Sequence, residues 1–234
     1  YYDASAIAEL AKTIGADAVH PGYGFLAEDI SFGARLKSND IQLIAGDARK
    51  EIPEIVDKTI TRRWASNLGI ALIPSSDPCR TWEEVSAAAR SLSYPLLLKP
   101  VSGSGGTGIQ LVRRRADLQD AFMLASRGQS EFPPESKGVF LESFIAHGRL
   151  LEFPVLRDSR GNVVVLPELD CSVQRRFQKL VIETPAPFIE KEFLQYLTTL
   201  SRRIVESQDF VGLATVEFLV ANETDYFLEI NAYI

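Results

Sequence analysis

Tyr94-Pro95-Leu96-Leu97-Leu98-Lys99-Pro100-Val101-Ser102-Gly103-Ser104-Gly105-Gly106-Thr107-Gly108 decides how this chain is read. It spells a short apolar strand that ends in a lysine and opens into a loop of small residues. Glycines let backbone approach a ligand closely and turn several N–H groups toward one point, which suits a phosphate. The lysine adds a point charge for phosphate oxygens. This is not a Walker loop, because the lysine precedes the glycines and no Gly-Lys-Ser/Thr follows. The plain alternative is a glycine-rich hairpin tip.

The rest of the chain bounds the possibilities. Its 234 residues suffice for one large domain or two or three small ones, and 46% hydrophobic with 24% charged residues is an ordinary globular balance. No apolar run approaches the ~20 residues that span a bilayer. A net charge of −6 argues against broad nucleic-acid binding, yet leaves room for an anionic substrate where cations gather locally. Cys79 and Cys171 lie in no metal or redox spacing and read as reduced thiols, the alternative being one disulfide between them. The chain starts at Tyr1 without methionine and stops at Ile234 just after a strand bearing functional residues, so both ends are expected to be cuts through a longer protein.

Periodicity predicts helices over 4–14 and 30–38 and strands over 17–20 and 41–45, an order that suits a parallel sheet with one strand-helix unit missing upstream. A helix over 57–68, a strand over 71–74 and a helix over 83–92 lead to the Leu96–Leu98 strand. Gln110–Val112 returns, 117–126 is helical, and 138–141 is a strand. Strands over 151–156 and 162–166 flank the turn Asp158-Ser159-Arg160-Gly161, with strand-like character in 164–169. A long helix over 190–206 and strands over 214–220 and 225–230 close the chain. The expected divisions are a partial N-terminal α/β unit (1–56), a linking helix (57–70), a small α+β unit carrying the glycine loop (71–144) and an antiparallel-sheet unit (145–234).

Three constellations carry chemistry. If the last turn centres on Glu223, residues whose numbers sum to 446 face each other, which pairs Glu217 with Glu229 and places Leu219, Phe227 and Asn231 on their face. Opposed carboxylates need a cation or proton between them, and a hard divalent ion with an amide oxygen fits. The alternative is two solvated glutamates. Gln174-Arg175-Arg176-Phe177-Gln178-Lys179 gathers three cations in an acidic chain, either to hold a small anion or as a solvated basic face. His20, beside Pro21-Gly22, reads as a residue that caps the turn, with a general base as the alternative. His147 carries no argument, and no Ser-His-Asp, Cys-His or zinc-ligand pattern occurs.

Together these residues resemble the biotin carboxylase family of the ATP-grasp superfamily, in order over essentially the whole chain. His20-Pro21-Gly22-Tyr23-Gly24-Phe25-Leu26-Ala27-Glu28 is similar to that family's His-Pro-Gly-Tyr-Gly-Phe-Leu-Ser-Glu. Asp57-Lys58 resembles its Gly-Asp-Lys, and Lys99 with the glycine loop resembles its lid. Asp170-Cys171-Ser172-Val173-Gln174-Arg175-Arg176-Phe177-Gln178-Lys179 resembles Asp-Cys-Ser-x-Gln-Arg-Arg-His-Gln-Lys, with Pro185-Ala186-Pro187 following at the family's spacing. Glu217-Phe218-Leu219 and Phe227-Leu228-Glu229-Ile230-Asn231 resemble the family's magnesium hairpin.

The resemblance implies a partial biotin-carboxylase N-terminal α/β domain followed by an ATP-grasp fold, a small lid plus an antiparallel sheet. It implies an ATP-dependent ligase that makes carboxyphosphate from bicarbonate and carboxylates biotin. Lys58 and Lys99 would bind ATP phosphates, with Gly103, Gly105 and Gly106 folding over them. Glu142 and Ile145 would offer backbone groups to adenine, and Gln174 and Leu219 would lie beside the nucleotide. Glu217, Glu229 and Asn231 would hold magnesium or manganese, Lys179 would take bicarbonate, and Arg176 would assist in catalysis. Implied partners are a biotinylated carrier domain, a carboxyltransferase and a second copy in a homodimer, in the cytoplasm or the mitochondrial matrix. The final carboxyl acceptor belongs to other domains.

Departures from the family pattern are Phe177 for a histidine, Leu150 for a nucleotide-contacting histidine, Ser143 for a hinge lysine, Ile182 for a glutamate and Tyr233 for an arginine near bicarbonate. The family's Gln-Val-Glu-His run is not reached. Nucleotide binding is thus better preserved than carboxylation chemistry. The alternatives are a degenerate nucleotide-binding scaffold of the same fold or another ATP-grasp carboxylate ligase.

Overall fold

The computed structural model describes residues 3–22, 26, 29–44, 58–101, 106, 108–126, 138–208, 210–221 and 224–232. Expectations for Tyr23–Phe25, Ala27, Glu28, Asp57, Gly103, Gly105, Glu223 and Tyr233 lie outside the described residues.

The chain begins with α1 (Ala4–Thr13), β1 (Ala18–Val19), α2 (Ile30–Lys37) and β2 (Gln42–Leu43). Asp3 and Asp29 cap the two helices through their carboxylates. β1 and β2 pair in parallel, the order expected from the sequence, and Ala8, Ala11, Phe32, Leu36 and Ile41 form a core beneath them. His20 accepts the Gly22 N–H at Nδ1 (3.0 Å), so it caps the turn as read.

The middle of the chain holds α3 (Lys58–Asn67), α4 (Trp82–Ala88), β3 (Leu96–Pro100), β4 (Gln110–Val112), α5 (Leu118–Ser126) and β5 (Val139–Ser143). Thr81 and Glu84 close a capping box at the start of α4. α4 ends at Ala88 rather than the expected 92, which frees the following residues to turn into β3. The three strands form an antiparallel sheet in the order β4-β3-β5. Strand alternation sends Leu96, Leu98, Val139 and Leu141 into a core with α4 and α5, leaving Leu97, Lys99, Phe140 and Glu142 on the opposite face.

The last third contains β6 (Arg149–Arg157), β7 (Val163–Val165), β8 (Leu169–Asp170), β9 (Gln174–Arg175), β10 (Gln178–Lys179), α6 (Lys191–Glu206), β11 (Gly212–Ala221) and β12 (Thr224–Ala232). The main sheet runs β12-β11-β6-β7, with β8 also on β6. The strand-like stretch 164–169 is two short strands, because β7 pairs with Val155–Arg157 whereas β8 pairs with Leu151 and Glu152. Leu197, Leu200 and Ile204 of α6 cover one face of the sheet and meet Leu151, Phe153, Val155, Val216 and Phe218.

Two expectations are corrected here. Residues 71–74 form no strand: they belong to a connector that reaches each sheet through a single bridge, Leu72 with Phe227 and, just beyond them, Ser75 with Glu142. The closing hairpin pairs Glu217 with Glu229 as calculated, but a bulge between Glu217 and Phe218 shifts the register toward the tip. Leu219 therefore faces Tyr226, and Phe227 faces Phe218. The bulge moves Phe227 to the α6 side, where its ring meets Phe218 edge-on with centroids 6.4 Å apart. Burying that ring contributes about 2 kcal/mol, and the same shift leaves Glu217 and Glu229 on the opposite face.

Candidate functional site

The face of the main sheet turned away from α6 carries a row of acids. Glu152 on β6 pairs in register with Glu217 on β11, and Glu217 with Glu229 on β12. Glu152 and Glu217 are 5% and 3% exposed. Two lysines reach the row from different elements. Lys58, at the start of α3, lies 3.0 Å from Glu229. Lys179, on β10, contacts Glu152 and donates to Glu217 at 2.8 Å. Asn231 donates from Nδ2 to Glu217 (2.8 Å) and Glu229 (3.2 Å).

Three carboxylates against two lysines leave an excess of negative charge, and the titration of the groups reflects it. Burial, then the charges of Glu229 and Glu152, hold the Glu217 carboxyl well above the ordinary carboxylate range. Burial would raise Glu229 as well, but the Lys58 charge and hydrogen bond, the Asn231 amide and the Lys99 charge bring it below its ordinary value. Burial works against the Lys179 ammonium, yet Glu217 and Glu152 outweigh it and hold its pKa above the lysine range. Buried Cys171, near Glu152, has its thiol pushed up to about 12, so it is an inert thiol beneath the site. Both cysteines are free and buried, in agreement with the reduced-thiol reading.

Lys99 is the next-to-last residue of β3, the strand that leads toward the glycine-rich sequence. Its ammonium contacts Glu142, which is 1% exposed and also accepts from Arg62 Nη1 at 3.1 Å. Arg62 Nη2 donates to the Ile73 carbonyl (2.7 Å) and to Ser75 Oγ (2.8 Å). Lys58 and Arg62 sit one turn apart on α3, so one helix face reaches acids of both sheets. Lys58, Arg62, Ser75 and Phe140 are among the residues lining a cleft of about 310 Å³ between α3, the 72–78 connector and the small sheet.

β9 and β10 form a hairpin whose two-residue turn is Arg176-Phe177, at φ +53° and +64°. Such turns favour Asn-Gly, and bulky residues there cost about 1–3 kcal/mol each. Gly106 lies against this turn: a Cβ at 106 would fall 2.8 Å from both Cβ and O of Phe177. The Asp170-Cys171-Ser172 stretch of the motif is scaffold. Asp170 pairs with Arg149 and accepts the Ser172 N–H at 2.9 Å, and Ser172 Oγ accepts the Leu150 N–H at 3.0 Å.

The structure thus gathers Lys58, Lys179, Glu217, Glu229 and Asn231, with the Lys99 charge felt at Glu229. Other candidates sit at the margin. Arg176 is exposed at the hairpin turn, Gln174 is exposed with its amide donating to the Cys171 carbonyl (2.9 Å), and Ile145 lies half-buried between β5 and β6. Leu219 packs against Gly148. Glu152, Arg62 and the Glu142 side chain escaped the sequence reading. The available signal was a single charge within an otherwise apolar strand, at Leu151-Glu152-Phe153 and Leu141-Glu142.

The residues suit a hard divalent cation. Mutually repelling carboxylates, Glu217 buried and Glu229 half-buried, with a side-chain amide beside them are the donor set such an ion takes. Among the described residues no group of three or more His, Cys, Asp or Glu converges as a complete metal site, so phosphate oxygens and water would fill the remaining positions. No described helix is long and apolar enough to cross a membrane.

Residues 57–234 match the family described as carbamoyl-phosphate synthase L chain, ATP binding domain, and residues 1–50 match biotin carboxylase, N-terminal domain. A pyruvate carboxylase of Bacillus subtilis is 36% identical over 233 residues, covering 99% of this chain and 20% of that protein. A biotin carboxylase of Halalkalibacterium halodurans is 36% identical, covering 99% of this chain and 51% of that one. The biotin carboxylase domain dimer of Hydrogenobacter thermophilus 2-oxoglutarate carboxylase, solved with MgADP, ADP and bicarbonate, superposes with a TM-score of 0.90 at 33% identity, over 100% of this chain and 52% of that one. The chain therefore spans about half of a biotin carboxylase and a fifth of a pyruvate carboxylase.

Proposed function

This chain belongs to the biotin carboxylase family of ATP-grasp proteins, and on that premise we propose that it supplies the ATP-binding part of a biotin carboxylase acting within a biotin-dependent carboxylase. The observation that carries the reading is the meeting of cations and acids in one place. Lys58 touches Glu229 at 3.0 Å, Lys99 bears on the same carboxylate, and Lys179 joins Glu152 and Glu217.

In this reading the triphosphate lies between the two sheets. Lys58 and Lys99 hold phosphate oxygens, Gly103, Gly105 and Gly106 close over them, and the backbone at Glu142 and Ile145 meets adenine, with Leu219 and Gln174 beside the nucleotide. Glu217, Glu229 and Asn231 would hold magnesium or manganese, which when bound neutralises phosphate charge. Lys179 orients bicarbonate, and a bicarbonate oxygen attacks the γ-phosphorus. The P–O bond to the β-phosphate breaks, its electron pair leaves with ADP, and carboxyphosphate forms. Arg176 offsets developing negative charge. The C–O bond of carboxyphosphate then breaks, the carboxyl carbon bonds to a biotin ureido nitrogen, and phosphate leaves with the proton that nitrogen gives up. Positioning and charge neutralisation supply most of the rate in such a transfer, and the flap keeps water from the labile intermediate.

The same proposal divides the chain into 1–56, 57–70, 71–144 and 145–234; among the described residues the first, third and last of these each hold a core, and Ala65 and Ile70 of 57–70 pack into that of the last. Its partners are a biotinylated carrier domain, a carboxyltransferase and a second copy of the chain, and its compartment is the cytoplasm, with the mitochondrial matrix as the alternative. The test is ATP hydrolysis by the natural full-length polypeptide: it should require bicarbonate and rise with free biotin.

A second reading, nucleotide binding without carboxylation, is favoured by Leu150, buried at 6% exposure where the family places a polar contact, and by Phe177 in the strained turn. Thermal stabilisation by Mg-ADP without turnover would select it.

A further inference from the structure

Glu142 lies among Lys99, Arg62 and the connector, and the sequence motifs assign its side chain nothing. The side chains of Glu142, Lys99 and Arg62 are 2%, 12% and 13% exposed, so this is an interior network. One carboxylate is shared by two cations of different character. Lys99 contacts only one of its oxygens through a flexible stem. Arg62 holds the other oxygen while its second nitrogen is locked to Ile73 O and Ser75 Oγ. The planar fork of arginine allows this three-way hold, and an ammonium does not match it.

We propose that Arg62 is a positioning residue for the anionic ligand, holding Glu142 so that Lys99 can turn from that carboxylate to a phosphate. Without Arg62, a departing Lys99 would abandon a buried, unpaired carboxylate, which is strongly unfavourable, so Lys99 would stay clamped. α3 then does two things with one face: Lys58 addresses the acid row, and Arg62 sets the availability of Lys99. The inference rests on the reading that Lys99 meets the nucleotide phosphates.

The test has two arms, both on the full chain. In the first, Mg-ADP binding is measured by calorimetry. Arg62→Ala should raise the dissociation constant at least about tenfold, the equivalent of one charge-assisted hydrogen bond. Arg62→Lys should fall between it and the parent. Arg62→Ala/Glu142→Gln, which removes the stranded charge, should return to within about threefold of the parent. An Arg62→Ala protein with parental near-ultraviolet dichroism and an unchanged dissociation constant overturns the proposal. Should Arg62→Ala not fold, Arg62→Lys and the double variant decide in the same way.

The second arm needs no ligand: acetic anhydride labelling of Lys99, followed by mass spectrometry. Labelling should slow in Arg62→Ala, where the amine is clamped, and exceed the parental rate in the double variant. If the parent binds no Mg-ADP yet labelling responds in this way, the nucleotide reading fails and the network stands. If labelling is the same in all three proteins, the network itself is refuted.

Discussion

The two sheets bury their acids under opposite balances of charge. In the small sheet one carboxylate, Glu142, faces two cations, Lys99 and Arg62. In the main sheet three carboxylates, Glu152, Glu217 and Glu229, face two, Lys58 and Lys179. The first arrangement has positive charge to spare and suits an anion. The second has negative charge to spare, which adds to burial in raising the Glu217 carboxyl, and suits a cation. A magnesium nucleotide supplies both, and α3 touches both networks from one face.

Removing a cation from the acid-rich side should do most harm. Lys179→Ala leaves Glu152 and Glu217 facing each other, so bicarbonate-dependent ATP hydrolysis should drop by at least about a hundredfold. Its melting temperature should also fall, and magnesium should recover part of the loss. A variant with parental turnover would dismiss the charge balance as an organising feature.

Next in size is Glu229→Gln, which should weaken magnesium binding about tenfold in titrations without nucleotide, the loss of one charged ligand. Equal magnesium affinity in parent and variant would place the cation elsewhere.

The pH dependence follows from Glu217. Its carboxyl titrates above the ordinary value of 4.5, so the folded chain holds a proton that the unfolded chain has released. Glu217 therefore adds stability at low pH that is lost as pH rises from 4.5 through its folded range. Cation binding ionises it, so magnesium affinity should climb over that window with proton release, measurable by calorimetry in two buffers of different ionisation enthalpy. Glu217→Gln should abolish the release, and proton uptake in the parent would contradict the assignment.

The smallest effect tests the place where the sheets' appendages meet. Phe177→Gly relaxes one left-handed residue and should raise stability by about 1 kcal/mol, or a few degrees. Gly106→Ala should lower the melting temperature slightly and weaken Mg-ADP a few-fold, because residue 106 sits at φ +73° and the new methyl meets the Phe177 backbone.

Much of this was legible in the sequence, for local reasons. An apolar run ending in a lysine marked β3, and simple counting across a hairpin paired Glu217 with Glu229. The bulge that turns Phe227 into the core could not be counted, since it is set by packing against α6 and not by the hairpin itself. Connector residues 71–74 looked like a strand because they are apolar, yet within them only Leu72 forms a bridge, to Phe227, and the bridge to the small sheet comes at Ser75. Arg62 and Glu142 are 80 residues apart, and nothing local announces that they meet. Glu152 likewise reads as one charge in an apolar strand until β11 brings Glu217 beside it.

Mg-ADP calorimetry on the parent, Lys99→Ala, Glu229→Gln and the double variant probes the joining of the two sheets most directly. One shared ligand requires the losses to be coupled: the double variant should lose less than the sum of the singles by more than about 1 kcal/mol, and magnesium should strengthen ADP binding less in Glu229→Gln than in the parent. Strictly additive losses, with magnesium strengthening ADP binding in Glu229→Gln as much as in the parent, would mean that Lys99 and the acid row serve different ligands.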